Sequence, residues 1–86
     1  MTESEHIIQA QQGDSNAFAV LYDLYAQKIY AFVLSRIRHK QIAEDLLQET
    51  FVKVWKGLPL YKNEGNFNAW VYRIATNCMN DHFRKR

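Results

Sequence analysis

Cysteine, proline and glycine are scarce in this 86-residue chain, at one, one and three copies. A single cysteine excludes an internal disulfide and suits a reducing compartment. Three glycines leave no Gly-rich turn able to cradle a phosphate. Pro59 and one glycine, Gly65, share the short stretch Leu58 to Asn66, so the obvious loop lies there. Lysine and arginine are missing from residues 1–27, which carry four acids. That acidic start lacks the basic segment and apolar run of a secretory signal. No apolar stretch approaches the length of a membrane span. The reading is a cytoplasmic protein with no membrane partner. No segment alternates with period two between turn signals, so no strand is expected.

Clusters that carry catalytic or metal chemistry are also missing. Cys78 and His82 stand four apart, but His6 and His39 are distant and have no neighbouring ligands. A metal or other cofactor is therefore not expected. Cys78 falls on an apolar helix face, where a small buried hydrophobe is the default. Glu44, Asp45 and Glu49 lie on a helix without pocket-forming loops, which gives no case for general acid–base catalysis. The chain does not read as an enzyme.

Apolar residues make up 48% of the chain and aromatics 14%, enough for a real core and against disorder. The length fits one domain, burying roughly 60% of its extended surface. Hydrophobic spacing predicts a small all-α domain of four helices. The first runs from Glu3 to Gln12 with Ile7, Ile8 and Ala10 inward, and Gly13 ends it. Asp14 caps a long second helix, about Ser15 to Arg38, on which Phe18, Leu21, Tyr22, Tyr25, Ile29, Phe32, Val33 and Ile37 keep the helical period. The period breaks over Arg38 to Gln41. A third helix follows from Ile42 to Lys56, with Ala43, Leu46, Leu47, Phe51, Val54 and Trp55 inward and Gly57 as its stop. After the loop, Asn66 is a plausible N-cap for a fourth helix that begins at Phe67 and buries Val71, Ile74, Ala75 and Cys78.

Two polar surfaces stand out. On the third helix Asp45, Gln48, Glu49, Val52, Lys53 and Lys56 recur at spacings of three and four, opposite the core. Acids lead and lysines trail, which complements the helix dipole, and Glu49 with Lys53 forms a favourable i, i+4 pair. A solvated face accounts for all of this except Val52, an apolar residue inside a charged rim, as at a partner surface. On the fourth helix Arg73, Asn77, Asn80 and Arg84 form an i, i+4, i+7, i+11 stripe that joins base-reading amides to phosphate-seeking guanidinium groups.

The loop adds Tyr61, Lys62, Asn63, Asn66 and Asn68. Tyr61 is expected to be exposed there with no core role, free to stack on a base; a polar connector with a snorkelling tyrosine is the alternative. Packing is the favoured reading of Trp70, whereas Phe67, Tyr72 and Phe83 fit either role. Asp81 repels phosphate, unless it pairs with Arg84 or Lys85 or accepts from a cytosine amino group. The chain stops on Arg84-Lys85-Arg86 within an amphipathic pattern and with no C-cap signal.

The order of these features carries a resemblance. Ala43-Glu44-Asp45-Leu46-x-Gln48-Glu49-x-Phe51, then a polar loop with an aromatic, then Phe67-x-x-Trp70-x-Tyr72-Arg73-Ile74-Ala75-x-Asn77 resembles bacterial sigma factors. The likeness is to the promoter-melting domain of the extracytoplasmic-function (ECF) group, and Gly13-Asp14-x-x-Ala17-Phe18 belongs to the same pattern. It implies that the third helix, through Asp45, Gln48 and Glu49, docks on the clamp helices of the largest RNA polymerase core subunit. It also implies that the loop captures a flipped base of the non-template strand of the promoter −10 element, with Asn77 and Asn80 reading its neighbours. An anti-sigma factor covering the docking face is a plausible further partner. Nothing resembles the −35-reading helix-turn-helix of a complete sigma factor, so residues 1–86 read as one domain of a longer protein. Two rival readings are a stand-alone helical regulator of duplex DNA and a protein-interaction bundle.

Overall fold

In a computed structural model the described residues, 1–62 and 65–85, form four α-helices and one 3-10 turn. They are α1 (Glu3–Gln11), α2 (Ser15–Ile37), α3 (Lys40–Gly57), the turn Leu58–Leu60, and α4 (Phe67–Arg84). Caps written in the sequence set the first boundaries. Thr2 and Glu5 close a reciprocal capping box on α1. Gly13 takes φ 94°, which a glycine adopts without a Cβ penalty. Asp14 Oδ1 then accepts the amides of Asn16 and Ala17 at 2.9 and 3.2 Å.

Between α2 and α3 the connection is tighter than the periodicity implies. Arg38 turns the chain in the left-handed region at φ 58°, and its amide still donates to Leu34 O at 2.8 Å. The His39 ring then accepts the Ile42 amide at 3.3 Å, so α3 starts at Lys40, two residues earlier than expected. Asn66 precedes α4 but makes no side-chain cap bond. The expected asparagine cap is therefore corrected: the residue holds the N-cap position without the bond.

The core is built on one row of α2. Ala17, Leu21, Tyr25, Ile29 and Val33 recur every fourth residue and are all buried. Edge-to-face ring pairs show which helices meet it. Phe18 and Tyr22 pack on Phe51 of α3, while Tyr25 packs on Phe67 and Phe32 on Tyr72, both of α4. The start of α2 thus meets the end of α3, so these two run antiparallel, whereas α4 runs alongside α2. Thr50 is the one buried polar residue among those described, and its hydroxyl donates to Leu46 O at 2.7 Å. That bond removes the cost of an unpaired buried hydroxyl.

Three burial expectations change. Ile8 is 47% exposed rather than inward, because α1 offers only the Ile7–Ala10 edge to α2. Trp55 lies at the surface, 37% exposed, with one edge against Phe18 at 4.9 Å. Met79 is buried beside Cys78, a core position outside the expected apolar set of this helix. The expectation that nothing approaches span length is corrected as well. By length and composition α2 is long and apolar enough to cross a membrane, with mean hydropathy 1.2. Its buried row is nonetheless matched to three other helices, and it carries Asp23, Lys28 and Arg36.

Tyr25 links this core to α1, donating its hydroxyl to the Glu3 carboxylate at 3.1 Å. Burial first, then the bond to Glu3, pushes the phenol up to about 12 from its ordinary value near 10. The fold favours the protonated phenol, so its contribution is intact below pH ~10 and is lost as pH climbs through ~12. Urea midpoints taken across that window should fall in the parent and fall less steeply in Tyr25→Phe. Identical slopes would show that Tyr25 is not the titrating group.

Candidate nucleic-acid interface

The surface of interest begins where α3 stops. Beyond Gly57 the chain makes one 3-10 turn, with Leu58 fully buried and the Tyr61 amide donating to Gly57 O and Leu58 O at 3.1 and 3.0 Å. The Gln11 side chain, at the end of α1, holds the same turn from below. Its Nε2 donates to Leu58 O at 3.0 Å and to Tyr61 O at 2.7 Å. The sequence gives no sign of this contact, since its partners lie 47 and 50 residues away.

Tyr61 is not the freely exposed ring expected. It is half-buried, its centroid 4.6 Å from Trp70 and 5.5 Å from Phe67, and it packs against the core. The three rings form a cluster completed by the Phe67–Trp70 contact at 5.6 Å. Trp70 packs as expected, and Phe67 is buried. A Cβ at Gly57 would lie 3.0 Å from the Trp70 ring, so glycine at the end of α3 leaves the room Trp70 occupies.

Trp70 separates two open grooves. The smaller, of about 510 Å³, is lined by Leu60, Tyr61, Lys62, Asn66, Ala69, Trp70 and Arg73. Leu60 stands 87% exposed on its lip. The larger, of about 1020 Å³, runs between α3 and α4 over Trp70 and Ile74 to Asn77, Asn80, Asp81 and Arg84, with Lys53 on its α3 side. The four-residue stripe is therefore divided: Arg73 serves the first groove, while Asn77, Asn80 and Arg84 serve the second. Asn68 is exposed in the first turn of α4 but lines neither groove, and Asn63 lies outside the described residues.

Electrostatics at the far end are mixed. Asp81 pairs with Arg84 in an exposed i, i+3 contact and lies 3.8 Å from Lys53. The Arg84 hydrogen bond, chiefly, holds the Asp81 carboxyl below its ordinary range. Arg84 is thus partly neutralised, although exposed pairs of this kind hold little energy and yield to a phosphate. Lys53 also sits 3.6 Å from Glu49, the expected i, i+4 pair, while its approach to Asp81 turns it toward α4. Asp45, Gln48, Glu49, Val52 and Lys56 are all exposed on α3. Val52, at 51% exposure, is an apolar spot among them, and Gln41 steadies Asp45 at 3.1 Å. Burial pushes the Cys78 thiol up, which disfavours its thiolate.

An all-helical domain with a polar α3 face and aromatic-walled grooves along α4 is the frame in which the family match falls. The Sigma-70 region 2 model matches residues 21–86, and the chain belongs to that family. Its relatives include the ECF RNA polymerase sigma factor SigW of Bacillus subtilis strain 168. That protein is 35% identical over 86 residues, all of this chain and 46% of SigW. The ECF RNA polymerase sigma factor BldN of Streptomyces coelicolor is 37% identical over 81 residues, 93% of this chain and 31% of BldN. The chain thus spans less than half the length of these curated relatives. A solved neighbour is an engineered region 2 of sigmaE, determined by NMR in complex with GTAAAA. It superposes with a TM-score of 0.91 at 27% identity, over 99% of this chain and 88% of that one.

Removing the ring between the grooves tests its packing role. Trp70→Ala should destabilise the fold by about 3 kcal/mol, the low end for a large aromatic because the side chain is only half-buried. Thermal or urea unfolding measures it. A variant that melts with the parent would free Trp70 from packing and leave it a surface reader only.

Proposed function

We propose that this chain is the promoter-melting domain of an ECF-type sigma factor. It binds core RNA polymerase through α3 and holds the non-template strand of the −10 element as single-stranded DNA along α4. It confers promoter specificity and catalyses nothing itself. The observation that carries this reading is the pair of grooves meeting at Trp70. One is walled by Tyr61 and Trp70 with Lys62 and Arg73 at hand; the other presents the amides of Asn77 and Asn80. A stacked or flipped base needs a ring face and a polar edge, and the backbone beside it needs cations. The engineered sigmaE region bound to GTAAAA supports the same assignment.

On α3 the exposed set Asp45, Gln48, Glu49, Val52 and Lys56 supports docking on the clamp helices of the largest polymerase subunit. Lys53, exposed on the same helix, also lines the larger groove. An anti-sigma factor would compete for the same α3 face. The whole protein would work in the cytoplasm and carry a second domain for the −35 element, residues 1–86 being its region 2.

Strand reading is tested by fluorescence anisotropy with labelled single strands, starting from GTAAAA and changing one base at a time. The single strand should bind better than the matching duplex. Asn77→Ala should lose base discrimination at one position, whereas Arg84→Ala should weaken all strands alike and flatten the salt dependence. Preference for duplex would point to the rival, a stand-alone duplex-binding regulator. Equal binding of every strand would leave only a basic helical bundle.

Docking is tested apart from DNA. Asp45→Arg should weaken capture of core polymerase by roughly 1–3 kcal/mol through mispaired charge at an interface, with the helical circular-dichroism signal unchanged. Gln48→Ala should act in the same direction. Parent-like affinity in both variants would remove α3 as the docking face.

A further inference from the structure

We propose that Gln11 is a positioning residue for the smaller groove, setting the Tyr61 wall from a helix that lies outside the family-matched segment. The inference rests on the strand-reading function above. Gln11 is the last residue of α1, and the family model matches only residues 21–86. Its half-buried side-chain nitrogen has two hydrogens and two acceptors: Leu58 O at 3.0 Å and Tyr61 O at 2.7 Å. The two carbonyls bracket the 3-10 turn, so a single amide ties both ends of that turn to α1. The backbone bonds of the turn, from the Tyr61 amide to Gly57 O and Leu58 O, use neither Gln11 nor the Tyr61 carbonyl.

The consequence reaches the groove through Tyr61. With its carbonyl held from below, the ring is directed against Trp70, and these two side chains form the groove's aromatic wall. Without the donor, the Tyr61 carbonyl loses this bond and Leu58 O keeps only the Tyr61 amide, so the turn loses its hydrogen-bonded tie to α1. The two hydrogens on one nitrogen are the required feature. Methionine matches the length of glutamine but donates nothing, whereas a lysine ammonium supplies donors to both carbonyls.

The test uses Gln11→Met and Gln11→Lys in a Trp55→Phe background. Trp55 and Trp70 are the only tryptophans, so this background leaves Trp70 as the sole reporter. Gln11→Met should keep the helical signal yet shift Trp70 emission to the red. At the strand position where the parent discriminates bases most, its preference should fall roughly three- to tenfold, the part of the two lost hydrogen bonds that reaches the strand through the Tyr61 ring. Gln11→Lys should keep both properties, which a role in packing alone does not predict. Parent-like emission and preference in Gln11→Met would overturn the proposal, as would an equal loss in both variants. A parent with no base preference at any position would instead sink the strand-reading function, and Trp70 emission would still decide the positioning role.

Discussion

Phe67 is the side chain on which the rest of the molecule depends. It is buried at the first position of α4, and it touches three other rings, Tyr25 at 5.4 Å, Tyr61 at 5.5 Å and Trp70 at 5.6 Å. Tyr25 belongs to the central row of α2, whereas Tyr61 and Trp70 are groove walls. One ring therefore joins the core to the candidate site. Each such aromatic contact contributes about 0.5–1.5 kcal/mol beyond the area it buries. Asn66 makes no side-chain cap bond, so burial of Phe67 does the work of fixing where α4 begins. A helix start anchored by a ring rather than by a cap is rigid only while its neighbours are in place. The geometry of the site and the integrity of the core are for that reason the same problem.

Most of the fold was legible because its signals are local. Leu21, Tyr25, Ile29 and Val33 of α2, the Asp14 cap and the Gly13 stop are short-range patterns and appear as expected, whereas Ala17 completes the buried row without an apolar period to mark it. The stripe of Arg73, Asn77, Asn80 and Arg84 follows from helical spacing alone, and all four are exposed. What could not be read depends on contacts between distant segments. Tyr61 looks like an exposed loop residue until Trp70 and Phe67 are folded against it. Gln11 looks like a solvated helix end until residues 58 and 61 come within reach of its amide. Ile8 differs for the opposite reason: the pattern offers two adjacent isoleucines, but a short helix at the edge of the bundle buries only the side that carries Ile7 and Ala10.

Charge plays a smaller part in this surface than the basic tail implies. Asp81 occupies Arg84 and lies close to Lys53, so one carboxylate offsets part of the positive charge at the end of the larger groove before any ligand arrives. Such exposed pairs hold little energy and exchange readily for a phosphate. They set the cost of engaging the backbone without choosing a sequence. In the proposed strand reading, discrimination falls to groups with directional hydrogen bonds, and in the larger groove those are Asn77 and Asn80. Neutral amides can donate and accept at once, which suits the mixed edge of a base better than a charge does.

Membership of the Sigma-70 region 2 family places these features in an energetic frame. Unstacking a base step costs a few kcal/mol, and a domain of this size is itself stable by only about 5–15 kcal/mol. Stacking returns ~1–3 kcal/mol per base, and only if the receiving ring is already in position. A mobile Tyr61 would surrender part of that gain in ordering its own side chain. Packed against Trp70 and Phe67, it has lost that freedom on folding, so the wall is in place before the strand arrives. Half-burial is therefore compatible with the strand-reading role proposed for Tyr61. It changes the role from a searching hook to a fixed face, and it makes the turn that carries the ring as important as the ring.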